Sequence, residues 1–282
     1  MVEIGKINNL KVVKILDFGI YLDGQELGEI LVPRRYVPEN CQVDDFLDVF
    51  IYFDSEDRII ATTIKPLAMV DEFAYLKAVS VNSIGSFLDW GLMKDLLVPF
   101  REQQQTMEEG KYYIVYVYMD KDTKRLAASA KLNKFLDNIP PDYEEGEEVD
   151  LLIVNQSDIG YNAIVNNTHW GILYNNEVFQ QLMKGLRIRG YIKKVREDDK
   201  IDLFLQKPGY EKIDSISTKL LKKLEESNGY LNFTDKSEPE IIYQRLNISK
   251  KAFKMAVGAL YKARLIRLTD QGIFLNNSQN DN

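Results

Sequence analysis

The sequence predicts a mainly β chain that closes with an α+β domain: three small tandem β-barrels followed by a winged helix-turn-helix. Three observations predict it. Segments of the first half recur at one constant spacing, those segments are strand-like runs of β-branched and aromatic residues, and beyond residue 212 the apolar period lengthens from two to about 3.6.

The repeat comes first. Leu31-Val32-Pro33 recurs as Leu97-Val98-Pro99, an offset of 66. The same offset carries Gly19 to Gly85, Tyr21-Leu22-Asp23 to Phe87-Leu88-Asp89, Asp54 to Asp120 and Ala61 to Ala127. A third copy, matched by pattern more than by identity, begins near Val149 and places Gly160 another 75 residues beyond Gly85.

Each unit opens with a short apolar strand, turns a second strand around a glycine, and ends in a hairpin. The closing hairpins are Val49-Phe50-Ile51-Tyr52-Phe53 with Arg58-Ile59-Ile60-Ala61, Tyr113 to Tyr118 with Leu126 to Ser129, and Gly190 to Val195 with Ile201 to Leu205. Polar turns separate their strands, such as Asp54-Ser55-Glu56-Asp57 in the first unit. Five short strands per unit point to OB-fold barrels, because closing a small sheet on itself removes its exposed edges.

Asn138 to Gly146 holds Pro140-Pro141 and an acidic run, which continues neither strand nor helix and reads as a linker. Lys207-Pro208-Gly209 closes the third unit in the same way. Then Ile213, Ile216, Leu220, Leu221 and Leu224 mark an amphipathic helix, and a second follows Pro239 through Ile241, Ile242 and Leu246. Ser249 caps a third, with Ala252, Phe253, Ala256, Val257 and Leu260 on one face and Lys251, Lys254, Gly258 and Lys262 on the other. Two short strands around a Gly272 turn complete a winged helix. The domains expected are 1–66, 67–138, 145–208 and 211–278.

Composition narrows the function. The opening residues Met1 to Lys6 have no basic head leading into an apolar stretch, and no apolar run spans a bilayer, so a cytoplasmic protein is expected. The single cysteine, Cys41, excludes an intrachain disulfide, fits a reducing compartment and reads as a barrel-edge residue. With one histidine, His169, no His/Cys zinc cage can form, and neither a nucleophile elbow nor a phosphate-cradling glycine loop is present. His169 reads as a partly exposed loop residue beside Trp170. The acidic groups Asp44-Asp45 with Asp48 and Glu144-Glu145 with Glu147-Glu148 lack the spacing of a calcium loop and read as solvated surface. No catalysis, metal or cofactor is expected.

The chemistry that remains is binding. Phe18 and Tyr21 flank Gly19, a placement that could hold ring faces against single-stranded nucleic acid, where stacking on a ring is worth roughly 1–3 kcal/mol per base. Lys14, Arg34, Arg35 and Arg58 stand near in sequence to neutralise phosphate. In the second unit Ile84 and Phe87 take the places of Phe18 and Tyr21, and in the third Ile159 and Asn162 do, so stacking capacity is expected to decay along the chain. Lys250, Lys251, Lys254 and Lys262 on the third C-terminal helix are a second candidate surface.

Phe18-Gly19-Ile20-Tyr21 followed by Gly28-Glu29-Ile30-Leu31-Val32-Pro33 resembles the Phe-Gly-x-Phe-Val and Gly-Leu-Val-His-x-Ser signature of the RNA-binding OB domain of ribosomal protein S-one type. Pro33 departs from it, standing where the signature has His and removing a hydrogen-bonding contact. Three such domains and a winged helix over nearly the whole chain are similar to the bacterial conserved virulence factor B family. That resemblance implies RNA binding and post-transcriptional regulation.

Formal charge is -7, unevenly placed: residues 212 to 282 carry 12 Lys/Arg against 8 Asp/Glu, net +4, leaving -11 for residues 1 to 211. Any nucleic-acid surface is therefore a set of local patches on an acidic body. The reading is an elongated, multi-site cradle for single-stranded RNA. Two alternatives stand beside it: a protein-interaction scaffold whose barrels have lost their RNA contacts, and a DNA-binding regulator led by the winged helix, whose fold does not choose among DNA, RNA and protein.

Overall fold

The computed structural model describes residues 1–178, 180–205, 215–234, 236–269 and 271–276. The chain divides into two compact units, 1–203 and 204–282.

The first unit holds three five-stranded barrels. The first comprises β1 (Ile7–Leu16), β2 (Gly19–Asp23), β3 (Glu29–Pro33), β4 (Phe46–Phe53) and β5 (Ile59–Thr62), closed in the order β1-β2-β3-β5-β4. The second comprises β6 (Phe73–Val81), β7 (Gly85–Asp89), β8 (Leu96–Pro99), β9 (Tyr112–Met119) and β10 (Leu126–Ser129), in the order β10-β9-β6-β7-β8, with β8 lying beside β10 so that the sheet nearly closes. The third, from β11 (Glu148–Gln156), β12 (Gly160–Val165), β13 (His169–Tyr174), β14 (Arg187–Val195) and β15 (Ile201–Phe204), closes in the same order as the first. Its weak sequence match to the others thus conceals the same topology.

The opening strand of each barrel has nine residues or more, not the short run expected. A β-bulge lets it serve two neighbours: register slips between Val12 and Lys14, Ala78 and Ser80, and Ile153 and Asn155, leaving Val13, Val79 and Val154 as the extra residues. The bulge bends the strand so that one half pairs with the second strand and the other with the fourth. The repeated glycines have an equally local cause. A Cβ on Gly19 would stand 2.3 Å from the carbonyl oxygen of Val32, on Gly85 2.3 Å from that of Val98, and on Gly160 2.1 Å from that of Leu173. Only glycine lets the second and third strands close at this point.

Cores follow the alternation. Leu10, Val12, Ile20, Leu22, Ile30, Val32, Val49 and Ile51 fill the first barrel. Some strands are buried on both faces. Phe50 and Tyr52, pointing away from that core, pack with Trp90, Leu92 and Leu96 of the second barrel, and the Phe50 and Trp90 rings meet edge to face at 5.6 Å. Phe73, Ile114 and Leu136 likewise pack against Leu152, Val154 and Ile164 of the third. Polar bonds add direction: Arg187 donates to the Phe73 carbonyl, Asn167 Oδ1 accepts from the Phe73 N–H at 3.3 Å, and Arg125 pairs with Asp57 across the first two barrels.

The segment from Asn138 to Gly146 forms neither strand nor helix, as expected, yet it is packed rather than free. The Ile139 carbonyl lies 2.9 Å from His169 Nε2, and the Tyr143 hydroxyl lies 2.9 Å from His169 Nδ1. His169 therefore departs from the expected half-exposed loop position: it is buried at the start of β13, because both ring nitrogens find partners on this segment. Cys41 sits in a loop, partly buried against the first core, and burial pushes its thiol up, away from the reactive thiolate.

The second unit has α1 (Ser215–Glu226), β16 (Tyr230–Leu231), α2 (Pro239–Leu246), α3 (Lys250–Lys262), β17 (Ile266–Thr269) and β18 (Gly272–Leu275), with strand order β16-β18-β17. Ile213 and the Lys207-Pro208-Gly209 closure lie outside the described residues, as do the expected limits at 208, 211 and 278. Pro239 opens α2, where its missing N–H costs no hydrogen bond, and Asn247 in the left-handed region closes it, donating its N–H to the Tyr243 carbonyl at 2.8 Å. Ser249 Oγ accepts from the Ala252 N–H at 3.2 Å, which starts α3. Leu220, Leu224, Ile242, Phe253, Ala256, Val257, Leu260 and Ile273 form the core. Ala252, expected on that face, is only half-buried. β16 was not expected, since two residues carry no period. No helix among the described residues is long and apolar enough to cross a membrane.

Because Phe50 is fully buried between two barrels, Phe50→Ala is expected to lower the unfolding free energy by about 3–5 kcal/mol in urea titration. A loss below about 1 kcal/mol would mean that the junction collapses around the gap.

Candidate nucleic-acid interface

The Asp17-Phe18 turn joins β1 to β2, and the Phe18 carbonyl accepts from the Arg34 N–H at 2.9 Å. Phe18 is 56% exposed there. Tyr21 lies half-buried on the outer face of β2, and the two rings meet edge to face with centroids 6.3 Å apart. Lys14, opposite Tyr21 in the strand register, holds its ammonium 5.2 Å from the Tyr21 ring, while the same ammonium lies 3.2 Å from a Glu29 oxygen.

The four cations expected around this face divide in two. Lys14 is paired with Glu29, and Arg58 is held by Asp54 at 2.7 Å and Glu56 at 2.9 Å. Burial works to raise the Asp54 carboxyl, but the N–H groups of Arg58 and Glu56 and the Arg58 guanidinium outweigh it and hold Asp54 below the usual carboxylate range. Arg58 thus closes the β4–β5 turn. Arg34 and Arg35 lie exposed on the 3-10 turn after β3, Arg35 stacking 5.3 Å from the Tyr36 ring, and neither has a carboxylate in ion-pair reach among the described residues.

On the second barrel, Phe87 lies half-buried on the outer face of β7 and lines a cavity of about 260 Å³. Leu97 and Pro99 of β8 line it too, Ile84, 56% exposed, stands at its lip, and Phe53 and Asp57 of the first barrel wall one side. Arg101, Arg125 and Lys94 border it, accompanied by the carboxylates of Asp57, Asp95 and Asp120. Arg101 pairs with Asp120 at 3.0 Å. The N–H and hydroxyl of Thr123 hold the Asp120 carboxyl below its usual range, aided by the Asp122 N–H and Arg101 against the effect of burial. Sequence reasoning missed this composite groove and its cations. Arg101 was within its reach, since it stands 66 residues after Arg35; the contribution of the first barrel carried no local signal.

On the third barrel Ile159 is 62% exposed at the equivalent turn, and Asn162 donates to Asn155 Oδ1 at 3.3 Å. Tyr174 pairs with Gly160, the place that Pro33 and Pro99 hold elsewhere, and its hydroxyl donates to Asp202 at 3.1 Å. In the second unit Lys251, Lys254 and Lys262 are exposed on α3 and Lys250 is half-buried. The space beside Gly258 is open, and Met255 and Tyr261 share this exposed side of the helix. The hairpin adds a cluster that sequence reasoning did not name: Phe274 lies 4.6 Å from the Tyr230 ring and 4.6 Å from the Arg267 guanidinium carbon. Among the described residues no group of three or more His, Cys, Asp or Glu side chains could hold a metal ion.

Two family models match the chain. One, described as S1 domain, matches residues 4–64 and again 72–131, which contain the first and second barrels, and the other, described as CvfB-like winged helix domain, matches residues 218–275. "Uncharacterized protein YitL" of Bacillus subtilis is 29% identical over 260 residues, which span 87% of this chain and 85% of that protein. "Conserved virulence factor B" of Staphylococcus epidermidis is 24% identical over 277 residues, covering 94% of this chain and 92% of that one. The protein of the same name from Staphylococcus aureus is 24% identical, with 94% and 91% covered.

The lowered Asp120 carboxyl sets a pH dependence. Its folded value lies below 3.8, so the stability it contributes is present above that pH and is lost as pH falls through the folded value. Asp120→Asn is expected to lower the melting temperature at pH 7, with a deficit that shrinks steadily below pH 3.8. A deficit independent of pH would assign the effect to packing alone.

Proposed function

We propose, for a chain that belongs to the conserved virulence factor B family by its S1 domains and CvfB-like winged helix domain, that it is a non-catalytic binder of single-stranded RNA acting in post-transcriptional regulation in the bacterial cytoplasm. The S1 domains and the winged helix together support nucleic-acid binding, and the choice of single-stranded RNA rests on the chemistry of the barrel faces. The observation that carries it is Phe18: a large aromatic ring held out in solvent beside a second ring, on the OB face formed by the second and third strands and the turn before them. Such a ring loses apolar burial in the free protein and regains it by stacking on an unpaired base.

Phosphate neutralisation then falls to Arg34 and Arg35 on the first barrel and to Lys250, Lys251, Lys254 and Lys262 on α3, with Lys14 placed to exchange Glu29 for a phosphate. Arg58 contributes least, being held by two carboxylates. Phe87 offers a second stacking position inside its groove. The working domain limits are 1–66, 67–138, 145–208 and 211–278, and each module gains from the effective concentration set by its neighbours. A protein-scaffold reading draws on one specific observation, the three carboxylates bordering the Phe87 groove.

Titration of the full chain with a labelled single-stranded RNA oligomer across a salt series tests the proposal. Phe18→Ala/Tyr21→Ala is expected to weaken binding by about 1–3 kcal/mol per stacked base without changing the salt dependence. Lys251→Ala/Lys254→Ala is expected to lower the slope of log K against log salt by about 1.4, two phosphates at about 0.7 each. No binding at low salt removes the RNA reading, and preference for duplex DNA over single-stranded RNA moves it to the winged helix.

A further inference from the structure

A second groove lies at the junction of the second and third barrels. It has a volume of about 480 Å³ and is lined by Lys131, Lys134, Lys184 and Trp170 with the side-chain amides of Gln104 and Asn155. No carboxylate lines it among the described residues. In a stretch of chain whose net charge is -11, it contrasts with the Phe87 groove, where three carboxylates accompany the cations.

The cations here are differently committed. Lys134 is bound to Glu102, its ammonium 2.8 Å from the carboxylate that Ser129 also supports. Lys131 and Lys184 have no carboxylate in ion-pair reach among the described residues; Lys184 lies 6.0 Å from the Tyr75 ring. Glu102 attracts Lys131 only from beyond ion-pair distance, and two ammonium groups outside any ion pair on an acidic protein form a site for an anion. The walls are preorganised, because Leu136, Phe73 and Ile114 pack against Leu152 and Val154 directly beneath, and Trp170 is fixed by its indole N–H donating to Asn133 Oδ1 at 3.0 Å. A rigid site loses little conformational entropy on binding.

Its position indicates which anion. Arg101 borders the Phe87 groove and Gln104 lines this one, three residues on, so their Cα atoms are at most about 11 Å apart. Ala127 and Lys131 make the same connection on the neighbouring segment. The two grooves thus border the same two stretches of chain, so that one single strand can run from one into the other. We propose that the groove is a phosphodiester-binding extension of the barrel-two face, in which Lys131 and Lys184 take consecutive backbone phosphates of a single strand whose neighbouring base sits over Phe87. The amides of Gln104 and Asn155 supply donors to the phosphate oxygens and sugar. This rests on the single-stranded RNA reading above and adds a place and a direction to it.

The test measures the full chain, with Lys131→Gln/Lys184→Gln and Phe87→Ala variants, on a single-stranded RNA oligomer between about 50 and 200 mM salt, after thermal melts establish that all three fold. The double lysine variant is expected to lose about 1.4 from the salt slope, so that the parent loses about sevenfold more affinity than the variant across that range. Phe87→Ala is expected to lose affinity at an unchanged slope. A parent that binds RNA with a slope that the lysine substitutions do not alter overturns the groove alone. A parent that does not bind overturns both readings.

Discussion

The barrel unit depends on strands that are buried on both faces. In β4, Val49 and Ile51 fill the first barrel while Phe50 and Tyr52 fill the junction with the second. In β11, Leu152 and Val154 face the second barrel across Phe73 and Ile114. Full burial of an aromatic or branched side chain contributes about 1.5–3 kcal/mol, and each junction collects several. This makes three small barrels, each short of core on its own, into one packed body. The Phe87 groove exists because of it, since Phe53 and Asp57 of the first barrel's closing hairpin wall the face of the second, and the other groove gathers residues of the second and third barrels where those two meet.

Electrostatics operates within that frame by subtraction. The barrel unit is acidic, and most of its cations discussed above are neutralised by neighbouring carboxylates: Lys14 by Glu29, Arg58 by Asp54 and Glu56, Arg101 by Asp120, Lys134 by Glu102. Exposed pairs of this kind contribute little stability. Their larger effect is to withdraw charge from the surface, while other cations of this unit, Arg34, Arg35, Lys131 and Lys184 among them, have no carboxylate in ion-pair reach among the described residues. Net charge alone would have argued against a polyanion partner, and the local arrangement reverses that argument.

Much of the fold was legible because it repeats. Glycines at 19, 85 and 160 recur because in each barrel a carbonyl oxygen occupies the place of a Cβ, a demand that no other residue meets. The valines at 13, 79 and 154 recur at the same spacing for the bulges, a signal present in the sequence and not read there. The site was less legible. Phe18 and Ile84 stand out because a turn next to a glycine is local, and Ser249 announces α3 for the same reason. Arg101, Trp170 and Lys184 belong to surfaces assembled from residues distant in the chain, and His169 looked exposed because the segment that covers it lies about thirty residues earlier.

What the sequence determined by itself was the number of barrels, the succession of strands along each one, the change to a helical C-terminal unit and the turn that presents Phe18. All of these follow from backbone geometry and period within a few tens of residues. Only the tertiary structure decided which cations remain without a carboxylate, which apolar strands are sealed on both faces, and where the grooves lie. Pairing and burial are set by which surfaces meet, and neither Lys131 nor Lys184 carries in its own neighbourhood any mark that the other stands across the same groove.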